Sequence, residues 1–191
     1  MLNSKPAKTE FPVAELIANR WSPVGIDPEK PVSEEEVGSL LEAARWAPSS
    51  YNEQPWRYVV GYKGDERHGQ LAECLVDGNA WAREAAVLML SVAKLKFERN
   101  DKANHHAMHD VGAASVSMHL QATELGLAMH QMAGFEIDKA RELFNIDETF
   151  QPVAMIAIGY ERAAEQLADG LKERDLAPRQ RKPHDELIWK S

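Results

Sequence analysis

A single cysteine, Cys74, stands in 191 residues. One thiol can close no internal disulfide and build no cysteine-based zinc cage, and such scarcity fits a reducing compartment. Long apolar runs are missing as well. Even Ala85 to Leu90 falls far short of the ~20 residues that cross a bilayer, so no membrane partner is expected. Met1 to Glu10 mixes Lys and Glu around no apolar stretch. It therefore does not read as a secretory signal, and a cytoplasmic address follows. Positive charge is in deficit: 22 Lys plus Arg against 30 Asp plus Glu leave a net charge of -8. Nucleic-acid backbones are held by Lys and Arg, so this balance argues against a nucleic-acid partner while leaving room for a local basic pocket.

What is present is the composition of a globular protein, 44% hydrophobic and 27% charged. A folded monomer of this mass should keep about 9,000 Å² exposed, which suits one core. Residues 1–10 are expected to form a flexible tail and residues 11–191 a single domain. Val13, Leu16, Ile17 and Arg20 share a helical face, predicting a helix from Pro12 to about Arg20. Ser33 to Glu36 forms a capping box ahead of a helix carrying Val37, Leu40, Leu41 and Ala44, which must end before Pro48. Arg57–Tyr62, Ala85–Ala93, Leu127–Met132 and Val153–Gly159 read as strands. Leu71 to Val76 and Asp138–Phe144 read as short helices. A long helix is expected from Asn104 to Leu125, with Met108, Val111, Ser115, Met118 and Ala122 on one stripe, stopped by Gly126. The last 32 residues, 160–191, are polar until Leu187, Ile188 and Trp189, as in a segment that is disordered or wraps another surface.

Four segments could carry chemistry. Pro48-Ser49-Ser50-Tyr51-Asn52-Glu53-Gln54-Pro55-Trp56 sets uncharged donors and acceptors between two prolines, an arrangement suited to a polar heteroaromatic edge or to an ordinary turn. Arg20-Trp21-Ser22 places a cation and a hydroxyl just past a helix. Arg179-Gln180-Arg181-Lys182 could join it around a phosphate, although either alone is more often a solvated group. In Gln131-Met132-Ala133-Gly134, the glycine would let a backbone amide approach a flat ligand and Met132 would supply a polarizable contact.

Taken in order, these segments resemble the nitroreductase family of FMN-dependent oxidoreductases. The likeness runs through Arg20 to Pro23, Ala44 to Arg57, Phe97 to Asn100, His106 to Gly112, Gly126 to Phe135 and Ala177 to Pro183. It implies an α+β fold with a central mixed sheet flanked by helices, a homodimer with FMN at its interface, and a C-terminal arm, 160–191, embracing the partner subunit. It also implies that Arg20, Ser22, Arg179 and Arg181 hold the phosphate and ribityl side. Pro48, Ser49, Ser50, Asn52 and Gln54 would line the flavin from the other subunit, and Gln131 to Gly134 would pass its N5 side. NADH or NADPH would give hydride to the flavin, and a small acceptor such as a nitroaromatic or quinone would take it up, so no protein side chain is assigned a catalytic role. The alternative is a flavin-binding scaffold with weak or lost turnover.

The chain departs from the family pattern at Val24-Gly25-Ile26, where an Arg or Lys is usual at the first position. Without that cation, FMN retention is expected to be weaker than is typical. His105 and His109 stand four apart, but no third ligand completes a metal site and none is assigned. His106 falls where the family has a recurrent histidine. Cys74 is expected to be a packed small residue, and Trp46, Trp56 and Trp81 to be core anchors.

Overall fold

The computed structural model describes residues 5–189. Six helices and four strands alternate along it: α1 Glu15–Asn19, α2 Glu34–Arg45, β1 Trp56–Tyr62, α3 Glu66–Glu73, β2 Val87–Lys94, α4 Ala107–Glu124, β3 Leu127–Met132, α5 Ile137–Phe144, β4 Phe150–Tyr160 and α6 Asp169–Leu176. The strands form one sheet in the order β1-β2-β4-β3.

The sheet explains why β2 and β4 are so apolar: each has a strand on both sides and a helical layer on both faces. Along β2, Val87, Met89 and Ala93 join the core under α2 and α4, whereas Leu88, Leu90 and Val92 face the layer with α3 and α5. A register shift between Ser91 and Val92, where β4 passes from Ala154 to Pro152, leaves that alternation intact, and the Ser91 hydroxyl bonds to the Ala154 carbonyl beside it. The α+β class is as expected, but the mixed sheet is not. All three pairings are antiparallel. Both edge strands are unpaired among the described residues, so a parallel neighbour would have to come from outside this sheet.

Local chemistry fixes the helix ends. Ser33 accepts from the Glu36 amide while the Glu36 carboxylate accepts from Ser33, as the capping box predicts; a cap of this kind is worth ~1 kcal/mol. Helix α4 ends at Gly126, whose φ of 71° is left-handed. Its buried face includes Val111, Ser115, Met118 and Ala122, as the spacing predicts, but Met108 is exposed. His105 precedes the helix instead of sharing a face with His109. Among the described residues no His, Cys, Asp or Glu group could hold a metal, and no helix is long and apolar enough to cross a membrane.

Other expectations need correction. The first helix is shorter than Pro12 to Arg20, and Val13, Leu16 and Ile17 are exposed instead of meeting the chain's own core. Trp46 is 77% exposed, its indole held by Glu42, while Trp56 is buried. Residues 5–10 include tethered positions: the Lys5 ammonium donates to the Asp175 and Ala177 carbonyls, and the Ala7 amide to Ala18. Met1 to Ser4 lie outside the described residues. The expectation that the whole arm leaves for a partner also changes, because α6 and Arg179 are bonded to their own chain.

Candidate functional site

Three sequence-distant pieces meet where α1 ends. Arg20, Trp21 and Ser22 leave the helix, Lys5 comes from the N-terminal segment, and Arg174, Ala177, Pro178, Arg179 and Arg181 come from α6 and the strand-like stretch after it. Together they line a cavity of about 260 Å³. A second cavity, about 200 Å³, lies on the other side of Arg20, Arg179 and Arg181, against Val13 and Ile17.

The electrostatics of the first cavity are one-sided. No carboxylate forms an ion pair with Arg20, Arg174, Arg179 or Arg181 among the described residues. Burial, then repulsion from Arg181, lowers the pKa of Arg20. Burial, then Arg20 and Arg181, does the same to Arg179. Guanidiniums remain protonated under such pressure, so these neighbouring positive charges repel one another and an anion between them would relieve that repulsion. A phosphate is the anion these groups suit, because guanidinium forks match its oxygens.

The four arginines are not equivalent. Arg179 donates to the carbonyls of Lys5 at 2.6 Å, Ala18 at 2.7 Å and Arg20 at 2.9 Å, leaving two of its five N–H groups for a ligand. It is a clamp as much as a ligand. Among the described residues Arg181 donates only to the adjacent Gln180 carbonyl. Trp21 is buried and donates through Nε1 to Glu161 at 2.9 Å, while its carbonyl accepts from His119 Nε2 at 2.9 Å. The wall behind Ser22 is therefore fixed from two sides.

The loop after α2 is built around left-handed backbone. Tyr51, Asn52 and Gln54 have φ of 55°, 57° and 50°, a conformation that costs side-chain-bearing residues ~1 kcal/mol or more each. Side-chain bonds hold it: the buried Asp110 accepts from the Ser50 amide at 2.9 Å, and the Ser49 hydroxyl accepts from the Gln54 amide at 3.0 Å. Arg99 stacks on Tyr51 at 4.0 Å, and Phe97 meets its edge. Pro48 and Asn52 are exposed, and Ser49, Ser50 and Gln54 half-buried.

This loop lines neither of the two cavities beside the arginine cluster. The loop hangs on Asp110 and the cluster's wall on His119, positions about 13 Å apart along the axis of α4.

At the end of β3 the expectations divide. Gln131 is half-buried and Ala133 exposed, but Met132 is buried in the core between α3 and α5. Gly134 is packed against protein, since a Cβ there would lie 2.8 Å from the Asn79 side-chain nitrogen and 3.1 Å from a Val76 methyl, and those side chains would have to shift. Asn79 also donates to the Gly134 carbonyl. His130, the preceding neighbour, bonds to the Pro23 carbonyl and meets the Trp81 ring at 4.9 Å. Cys74 is buried, its thiol pKa raised by burial, as expected of a packed residue.

Residues 17–80 and 66–160 match the model of the nitroreductase family. The chain belongs to that family. As a nitroreductase-family member it is similar to a solved oxidoreductase containing FMN, at 34% identity and a TM-score of 0.90 over 100% of this chain and 97% of the other. It also resembles a putative nitroreductase from Desulfovibrio desulfuricans solved in complex with FMN, at 29% identity and a TM-score of 0.73 over 96% of this chain and 98% of that one. The putative NAD(P)H nitroreductase YdgI of Bacillus subtilis is 26% identical over 183 residues, 76% of this chain and 86% of its own.

Sequence reasoning brought Arg20, Ser22, Arg179 and Arg181 to one place. It missed Lys5, Asp110, His119 and Asp175, which hold the site's backbone, and Glu161, which holds the Trp21 indole. Asp110 lay within the quoted block from His106 to Gly112. His119 lies on the long helix without being marked by its stripe, and Lys5, Glu161 and Asp175 sit in segments with no local pattern.

Proposed function

We propose that this protein is an FMN-dependent oxidoreductase that takes hydride from NADH or NADPH and reduces nitroaromatics, quinones or similar small acceptors in a ping-pong sequence. The observation that carries this reading is the acid-free guanidinium cluster beside Ser22, a phosphate-shaped demand in a family whose solved relatives include FMN complexes. Bound FMN would supply the two-electron chemistry. Arg20, Arg181 and the remaining donors of Arg179 would hold its phosphate, with the Ser22 hydroxyl beside them and Trp21 as the rigid wall behind. Pro48, Ser49, Ser50, Asn52, Gln54 and the Gln131 to Gly134 turn would line the ring, Met132 and Gly134 by shaping backbone.

The working unit we propose is a cytoplasmic homodimer of one domain per chain, residues 11–191. Phe11, Val13, Ile17 and Val116 are exposed apolar side chains, and the separation of the loop from the arginine cluster suits a site completed by the loop of a second copy. The arm's contribution to that partner narrows to residues beyond Arg181.

The test is a visible spectrum of the purified protein followed by NADH or NADPH without oxygen. A yellow protein that bleaches is expected. A colourless protein that takes up no FMN sinks the flavin reading. A yellow protein that neither nicotinamide reduces would favour the scaffold alternative, to which the absence of a cation at Val24 points.

A further inference from the structure

Asp175 lies in the last turn of α6, within the polar C-terminal region, yet it is only 2% exposed. Burying a carboxylate is costly unless hydrogen bonds replace its water. Here two consecutive amides do so: Val24 N–H donates to Oδ1 at 2.8 Å and Gly25 N–H to Oδ2 at 2.9 Å. Those amides immediately follow the Arg20-Trp21-Ser22-Pro23 stretch. The fit leaves no room at Gly25, where a Cβ would meet Leu167 at 2.8 Å, the Asp175 carboxylate at 2.9 Å and the Arg162 carbonyl at 3.1 Å. The Arg162 amide in turn donates to the Gly25 carbonyl.

Four residues after Asp175, Arg179 grips the other end of the same stretch through the Ala18 and Arg20 carbonyls. One short piece of chain, Asp175 to Arg179, thus fastens both ends of the segment that carries Arg20 and Ser22. Asp175 itself does not line the cavity, so its charge is turned onto backbone and away from the incoming anion.

We infer that Asp175 is a positioning residue for the cofactor phosphate: it holds the Arg20–Gly25 segment in the shape that receives the anion. The inference rests on the flavin reading above. It makes a specific demand, that losing the carboxylate should weaken recognition of the phosphate and spare the rest of the flavin. In Asp175→Asn one backbone N–H keeps an acceptor, while the other faces the new NH₂ group, donor against donor.

The experiment titrates flavin-free wild type and Asp175→Asn with FMN and with riboflavin, which lacks the phosphate. Expected is a tenfold or greater loss of FMN affinity with riboflavin affinity changed less than twofold. Equal losses for both flavins, or none for either, overturn the inference. Asp175→Ala serves where the Asn variant does not fold. A wild-type chain that binds neither flavin sinks the cofactor reading. The latch is then judged by hydrogen exchange on the flavin-free protein. Amides of Val24 and Gly25 should exchange at least tenfold faster in the variant, with β2 and β4 unchanged; unaltered exchange there, or acceleration throughout, refutes it.

Discussion

At the scale of single residues, the site depends on groups whose ordinary charge state is altered by burial. His119 is the clearest. Burial first, then repulsion from Arg20, depresses its pKa from 6.5 to about 4, against a small opposing effect of its bond to the Trp21 carbonyl. The ring is therefore neutral near pH 7, and the carbonyl, which can only accept, requires the Nε2–H tautomer. Between pH 6.5 and 4 the unfolded chain binds a proton that the folded chain refuses, so stability is complete above pH 6.5 and declines as pH falls through this window. At pH 5 the loss from this histidine should be about 2 kcal/mol. His119→Gln keeps a donor and removes the titration. Urea unfolding at pH 5 and 7.5 should show the wild type losing about 2 kcal/mol more than the variant; parallel losses would show that His119 is not the titrating group.

Val24 changes meaning at this same scale. Its side chain is 5% exposed and its amide is engaged by Asp175, so an arginine introduced there would have to lose its water. A cation placed at position 24 would therefore disturb the packing of the segment that Asp175 holds.

At the scale of elements, the loop after α2 shows how structure is transmitted to the site. Three left-handed residues in four positions would drift without an external tie, and the Asp110 carboxylate on the first turn of α4 is that tie. Asp110→Ala should cost ~1–3 kcal/mol by leaving the Ser50 amide without its acceptor, and flavin dissociation should speed up several-fold. Asp110→Asn, which keeps an acceptor, should fall between Ala and wild type. Unfolding midpoints and flavin release rates measured on the same three proteins check this, and an Asn variant as impaired as the Ala variant would argue against the hydrogen bond as the cause.

The elements were legible in the sequence because alternation and caps are local. The capping box, the apolar strands β2 and β4, and the stop at Gly126 all emerge where the pattern puts them. The tethers were not legible, because Asp175 with Val24 and Arg179 with Ala18 join residues about 150 to 160 positions apart. Nothing within a window of Leu171 to Arg181 distinguishes a carboxylate that will be buried from one that will be solvated. The exposed Trp46 was misjudged for a related reason: helix periodicity weakens over the final turn, and its indole found a local acceptor in Glu42.

At the scale of the whole molecule, the chain exposes 11185 Å², some 2,000 Å² beyond what a compact monomer of its mass should show. The surplus is consistent with apolar groups held away from their own core: Phe11, Val13 and Ile17 near the first helix, Val116 on the outer face of α4, and Leu187, Ile188 and Trp189 after the last latch to the chain's own body. These two ends of the arm have different work under the proposed dimer. Residues up to Arg181 complete the cavity proposed for the phosphate in their own chain, while the exposed Leu187 to Trp189 could cover a neighbour. Two truncations separate the roles. Ending the chain at Arg181 should leave FMN affinity within a few-fold of wild type and shift the dimer toward monomer at low concentration, whereas ending it at Leu176 removes Arg179 and Arg181 and should abolish tight FMN binding as well. Sedimentation velocity across a concentration series, paired with flavin titration, reads both. A chain ending at Arg181 that stays as firmly dimeric as the full protein would confine the subunit contact to α1 and α4, and the exposed end of the arm would need another explanation.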